Sequence, residues 1–306
     1  MILSFNRAAV RLTGRWQIPP SAVSAEPILM PSRFSTAVQR SLLACLVTVT
    51  FAGTASTEEA TEVDALGEPE TSFVAKSFRS KDGDGGKLLY RLHVPEGVEG
   101  KLPLVLFLHG SGERGNDNRA QLKHGVRELV RPSIADEFPA VILAPQCPSG
   151  EKWVEVDWSR KDAPTTFPDS LSGPMASVLK VVDKLVEDGV VDPTRMYVTG
   201  LSMGGYGSWC AAGLVEHRFA AMLAICGGGD TSWADRYDGT ALWAVHGDAD
   251  TAVPVSRSRD MVAALAKEGH SGDLRYTELP GVGHDSWTTT YADPATWRWL
   301  FDQKKR

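Results

Sequence analysis

The run Gly200-Leu201-Ser202-Met203-Gly204-Gly205 constrains the fold of this 306-residue chain more than any other feature. It follows Arg195 to Thr199, which read as a strand, and it opens residues 204–215, which read as a helix. A strand that turns at once into a helix holds a serine hydroxyl clear of the backbone, within reach of a base. Small residues two before and two after the serine let such a turn close, which accounts for Gly200 and Gly204. The helix start adds N–H groups and a positive dipole end. Ser202 is therefore the candidate nucleophile.

The surrounding pattern is strand, helix, strand. Residues 72–78 and 88–94 predict a hairpin around the Asp-Gly pairs of residues 81–86. Leu104 to Leu108 and Ala140 to Ala144 are continuous apolar runs suited to buried parallel strands. Residues 220–225, 242–245 and 274–279 read as further strands. Helices are predicted near 121–130, 179–186, 256–267 and 294–303. Alternation of this kind predicts an α/β fold, a mostly parallel twisted sheet with helices on both faces.

A base for Ser202 is expected later in the chain, on a loop after the last strand. His284 stands there, in Gly281-Val282-Gly283-His284-Asp285-Ser286-Trp287. Of the other histidines, His93, His124, His217 and His270 fall at strand or helix positions away from that edge. His109 and His246 end strands on the correct edge and read as turn residues supporting neighbouring loops. An acid that fixes the imidazole tautomer is expected between serine and histidine. His246-Gly247-Asp248-Ala249-Asp250 offers both Asp248 and Asp250, and residue chemistry alone does not separate them. Glu278 and Asp285 are poorer candidates, one in a strand and one beside the histidine. Two converging N–H donors complete such a site. Met203 supplies one, and Ser111, in His109-Gly110-Ser111-Gly112-Glu113-Arg114-Gly115, supplies the other, with Gly112 as the alternative.

These runs, with Ala144-Pro145-Gln146-Cys147-Pro148 and Ile225-Cys226-Gly227-Gly228-Gly229-Asp230, resemble bacterial phospholipase/carboxylesterase and peptidase-like proteins of the α/β-hydrolase superfamily. That group is similar to the prolyl-oligopeptidase and dienelactone-hydrolase branches and to feruloyl and polyhydroxybutyrate-depolymerase-type esterases. The resemblance covers residues 70–306. It implies an α/β-hydrolase fold, and it implies that the acid is Asp250, three residues before Val253-Pro254, with Ser202 and His284 as its partners. A β-propeller like that of prolyl oligopeptidases has no room here, and no large cap insertion is evident. Residues 146–174, which carry Trp153 and Trp158, are the candidate substrate-facing loop, with packing onto the domain as the other reading.

Residues 1–55 hold five arginines, no lysine and one acid, Glu26, so a formal net charge of -6 becomes -10 for the remainder. The uncharged run 41–57, with its apolar core at 42–52, is short for a bilayer span and reads as a secretory signal peptide cut near Ala55. Expected organisation is a leader over 1–55, an acidic linker over 56–70 and a catalytic domain over 71–306, in a secreted or periplasmic protein. An acidic chain lacks the charge footprint of a nucleic-acid binder, and stable membrane insertion of the mature domain is not expected. Cys147, Cys210 and Cys226 read as buried free thiols.

The expected activity is hydrolysis of a small-molecule or polymer-linked carboxylic ester through an acyl-enzyme, with no metal and no organic cofactor. A serine peptidase of the same fold is the alternative. A non-catalytic binding protein is a third reading, disfavoured because all three reactive residue types are present.

Overall fold

In the computed structural model the described residues are 69–79, 86–158, 160, 163–214 and 218–305. The expected leader, linker and hairpin turn lie outside or largely outside them. Eight strands form one sheet in the order β1-β2-β4-β3-β5-β6-β7-β8. The strands are β1 (Val74–Arg79), β2 (Lys87–His93), β3 (Leu102–Leu108), β4 (Val141–Gln146), β5 (Val191–Leu201), β6 (Ala221–Ile225), β7 (Ala241–Gly247) and β8 (Leu274–Leu279). β1 pairs antiparallel with β2, and β2 antiparallel with β4. Every other pairing is parallel, so β3, β5, β7 and β8 all end on one edge.

Two apolar layers flank the sheet, and strand periodicity divides the side chains between them. In β3, Leu104, Leu106 and Leu108 face one layer, while Val105 and Phe107 face the other. The first layer takes the helices Gly173–Glu187, Met203–Leu214 and Ser256–Glu268. The second takes the short Val126–Leu129 and Pro132–Ala135 helices and the C-terminal Pro294–Phe301 helix. Burial on both sides explains why the central strands read as unbroken apolar runs.

Several elements differ from expectation, among them a helix at Pro69–Ser72 where a linker and then a strand were expected, and an unexpected helix at Pro132–Ala135. The helix near 121–130 is broken into a 3-10 turn, Ala120–Leu122, and a single turn, Val126–Leu129. Gly125 causes the break: its φ is +69°, and a Cβ there would lie 2.6 Å from the Tyr291 ring and 2.7 Å from Phe107. The helix expected from 179 starts at Gly173, because Ser172 caps it by accepting a hydrogen bond from the Met175 N–H and Pro174 favours the first turn. A short helix, Trp287–Ala292, follows the histidine loop and was not expected.

Candidate active site

The Ser202 turn lies between β5 and the Met203–Leu214 helix. Ser202 has φ +53°, a strained value for a residue with a side chain. Hydrogen bonds on both sides hold it: its N–H donates to Ile225 O at 2.9 Å, and its carbonyl accepts from the Tyr206 N–H at 3.1 Å. The turn leaves no space beside it. A Cβ on Gly204 would lie 1.9 Å from the Leu108 carbonyl oxygen, and one on Gly200 would lie 2.4 Å from Gly204 O.

Three side chains from separate strand ends meet at this turn. Ser202 Oγ is 3.0 Å from His284 Nε2. His284 Nδ1 is 2.7 Å from Asp250 Oδ2. The other Asp250 oxygen accepts N–H bonds from Ala252 at 2.8 Å and Val253 at 2.9 Å. Burial raises the proton affinity of the Asp250 carboxyl, but bonds from His246, His284 and Val253 outweigh it and hold the group well below the usual carboxylate range. A carboxylate facing Nδ1 requires the proton on that nitrogen, which leaves Nε2 free to accept from Ser202.

Asp248, the other acid offered by the sequence, turns away. It accepts the Gly281 N–H at 2.7 Å and so pins the loop that carries His284. Glu278 pairs with Arg259, and Asp285 caps the start of the Trp287–Ala292 helix through the Thr288 N–H.

His246 does more than the turn residue its sequence position suggests. It is fully buried, with Nε2 3.0 Å from Val253 O and 3.3 Å from Asp250 Oδ2. Both neighbours of Nε2 are acceptors, so that nitrogen carries the proton, and Nδ1 accepts the Ser258 hydroxyl at 2.8 Å. The signal was its position two residues before Asp248 and four before Asp250, at a strand end.

His109 does support its loop as expected. Its Nε2 accepts the Cys147 N–H at 2.9 Å, so Nδ1 is protonated and donates to Gly110 O at 2.6 Å. Burial lowers its pKa to about 4. A trans peptide points its N–H opposite its C=O. Fixing Gly110 O therefore fixes the direction of the Ser111 N–H. Met203 is the first residue of its helix, where the N–H has no intrahelical acceptor. Both expected donors thus sit at element starts beside Ser202.

A cleft of about 200 Å3 opens over the serine, lined by Gly110 to Glu113, Leu201, Ser202, His284, Trp287 and His124. His124, a helix position away from the site by its sequence, reaches the cleft wall because the chain breaks at Gly125. Trp153 does not face substrate. It is fully buried, and its indole N–H donates to His109 O at 3.0 Å. The 146–174 loop is therefore anchored onto the domain by one of its two tryptophans. Trp158 is half-buried against Tyr206.

Cys147, Cys210 and Cys226 are buried and unpaired. Cys226 Sγ lies within 4.8 Å of ligand-type atoms on Asp250 and His284. Burial pushes that thiol far above its ordinary range, and the two partners are already bonded to each other, so the set is poorly suited to a cation. Among the described residues no helix is long and apolar enough to cross a membrane.

Residues 172–243 match the prolyl oligopeptidase family. A poly(3-hydroxybutyrate) depolymerase of Ralstonia pickettii is 32% identical over 113 residues, 36% of this chain and 22% of that protein. A poly(3-hydroxyalkanoate) depolymerase C of Paucimonas lemoignei is 27% identical over 146 residues, 47% of this chain and 32% of that one. A solved thermostable esterase shares 38% identity with a TM-score of 0.70, covering 76% of this chain and 64% of its own. The chain thus spans less than two thirds of each. Sheet order and these likenesses agree with the fold expected from the serine turn: the chain has the α/β-hydrolase fold and is similar in part to these depolymerases and to that esterase.

Proposed function

We propose that the protein is a serine hydrolase that cleaves carboxylic esters through an acyl-enzyme. The observation that carries this reading is the continuous contact from Ser202 Oγ to His284 Nε2 and from His284 Nδ1 to Asp250, at 3.0 and 2.7 Å. Ser202 attacks the ester carbonyl while His284 takes its proton. Asp250 stabilises the imidazolium. The Met203 and Ser111 N–H groups hold the oxyanion, and each such donor is typically worth about 10²–10³ in rate. His284 then protonates the leaving alcohol, and a water activated by the same imidazole releases the acid.

Depolymerase and esterase likenesses favour an ester, small or polymer-linked, over an amide. A peptidase is the second reading, favoured by the match of residues 172–243 to the prolyl oligopeptidase family. p-Nitrophenyl butyrate and a peptide p-nitroanilide, offered to the same preparation, separate the two. Ester turnover that disappears in Ser202→Ala, with the circular dichroism spectrum retained, is the expected result. Full turnover in Ser202→Ala would remove the assignment. Export through the 42–52 segment belongs to the same proposal and rests on sequence alone. Its check is the mass of the protein recovered outside the cytoplasm, expected to begin near residue 56.

A further inference from the structure

Asp250 Oδ2 faces two imidazoles, His284 Nδ1 at 2.7 Å and His246 Nε2 at 3.3 Å. The acyl-transfer steps account for the first and leave the second unused. His246 is buried with both ring nitrogens engaged: Nε2 meets Val253 O at 3.0 Å as well as Asp250, and Nδ1 meets the Ser258 hydroxyl at 2.8 Å. Burial raises the proton affinity of the Asp250 carboxyl, and the His246 bond is the largest of the influences that lower it again. The second imidazole therefore acts on the same charge that steadies His284. Whatever holds that imidazole in place matters in turn.

Ser258 is buried in the first turn of the Ser256–Glu268 helix. A helical serine ordinarily turns its hydroxyl to solvent or to a carbonyl of its own helix. This one reaches back twelve residues, to the end of β7. It has one proton and two acceptors in reach, His246 Nδ1 at 2.8 Å and Gly227 O at 3.4 Å. The shorter contact takes the proton. A hydrogen donated to Nδ1 keeps His246 in the Nε2–H tautomer, whose hydrogen is shared between Val253 O and Asp250 Oδ2. The carbonyl is the nearer of the two and draws the ring away from the carboxylate, and the bond at Nδ1 resists that swing. Val253 closes the circuit, since its own N–H donates to the other Asp250 oxygen at 2.9 Å.

We propose that Ser258 is a positioning residue of this site: through His246 it holds Asp250 against His284, so that the side chains of Ser202, His284, Asp250, His246 and Ser258 work as one relay. The inference rests on the ester-hydrolase reading above. Ser258 touches no reacting atom. Its share is the direction of one N–H, and a neutral hydrogen bond of this kind is worth about two- to tenfold in rate.

Two measurements test this. Nitrogen NMR of protein labelled with [15N]histidine reads the ring nitrogens directly, and the His246 pair is assigned by its loss in His246→Gln. In the wild type Nε2 is expected to be protonated and Nδ1 to be a hydrogen-bonded acceptor. In Ser258→Ala the Nδ1 resonance is expected to move to that of a free acceptor, and the low-field His284 Nδ1–H proton to shift with it. A wild-type His246 protonated on Nδ1 overturns the proposal whether or not any variant folds. The second measurement is steady-state kinetics on p-nitrophenyl butyrate. Ser258→Ala is expected to lower kcat about two- to tenfold with KM unchanged, and Ser258→Thr, which keeps the hydroxyl, to recover most of it. Made in the His246→Ala protein, Ser258→Ala is expected to cost nothing further, because the path runs through that ring. An unchanged kcat in Ser258→Ala overturns the proposal, as does a loss of the same size with His246 absent. Turnover that survives Ser202→Ala fails the ester-hydrolase reading instead, and the nitrogen resonances then still decide whether Ser258 governs His246.

Discussion

His246 Nε2 lies 3.3 Å from the same Asp250 oxygen that meets His284 at 2.7 Å. Asp250 is thus held between two imidazoles and two backbone N–H groups. Removing one donor from a buried carboxylate frees the side chain to rotate away from His284. A hydrogen bond to a charged group is worth about 1.5–3 kcal/mol, or about ten- to a hundredfold in rate if the loss falls on the transition state. His246→Ala is expected to lower kcat by that factor with little change in KM. His246→Gln, which can restore a donor, is expected to recover part of it. Steady-state kinetics on p-nitrophenyl butyrate decides, and an unchanged kcat in His246→Ala would show that Asp250 is held without it.

Asp248 and Asp250 are expected to differ sharply. Asp250→Asn faces His284 with an amide that no longer fixes the tautomer, and a loss of about 10³–10⁴ in kcat is expected. Asp248→Asn retains an acceptor for the Gly281 N–H, so its kcat is expected to stay within about tenfold of wild type. The reverse order would transfer the acid role to Asp248.

Gly204→Ala is expected to fail as a folded protein. Its methyl group would lie 1.9 Å from the Leu108 carbonyl oxygen and 2.8 Å from His109 O, both backbone atoms of the central strand and its loop. Neither can yield without moving β3. Destabilisation above about 4 kcal/mol is expected, an exceptional size for one methyl group. Urea unfolding, or the soluble yield if folding is lost, measures it.

His109 makes the fold acid-sensitive. Burial, its largest influence, lowers its pKa from 6.5 to about 4. A histidine whose folded pKa is depressed stays neutral in the native state while the unfolded chain binds a proton. Its contribution is therefore complete above pH 6.5 and declines as pH falls from there toward 4, by a total of about 3 kcal/mol. Stability from urea unfolding is expected to fall across that window in the wild type, with a shallower slope in His109→Asn. Equal slopes in the two would assign the acid sensitivity to other groups.

The parts legible in the sequence are those set by local pattern. Unbroken apolar runs located β3, β4 and β6, because strands covered on both faces need no polar side. The glycine-flanked serine located the turn, since backbone contact at Gly204 tolerates no side chain. Chain order placed His284 on the loop after β8. What was hidden depends on contacts between distant segments. Asp248 and Asp250 differ by two positions, and residue chemistry alone did not separate them; the resemblance pointed to Asp250, and the Gly281 and His284 contacts show why the two differ. His124 looked helical until Gly125, pressed against Tyr291 from 166 residues away, broke the helix and turned it to the cleft. Trp153 looked like a loop aromatic, and its burial under His109 required the fold.

The close approach of Gly204 to the Leu108 and His109 carbonyls has a further meaning. It clamps the serine turn to the loop that bears Ser111, so Ser202 and the proposed oxyanion donors cannot separate without disturbing the central strand. On the proposed mechanism the free protein already holds Ser202 beside the Ser111 loop before substrate arrives. A substrate entering it need not drive any rearrangement at this point. A boronic acid that becomes tetrahedral on Ser202 should accordingly bind in a single kinetic phase, with no slow tightening step.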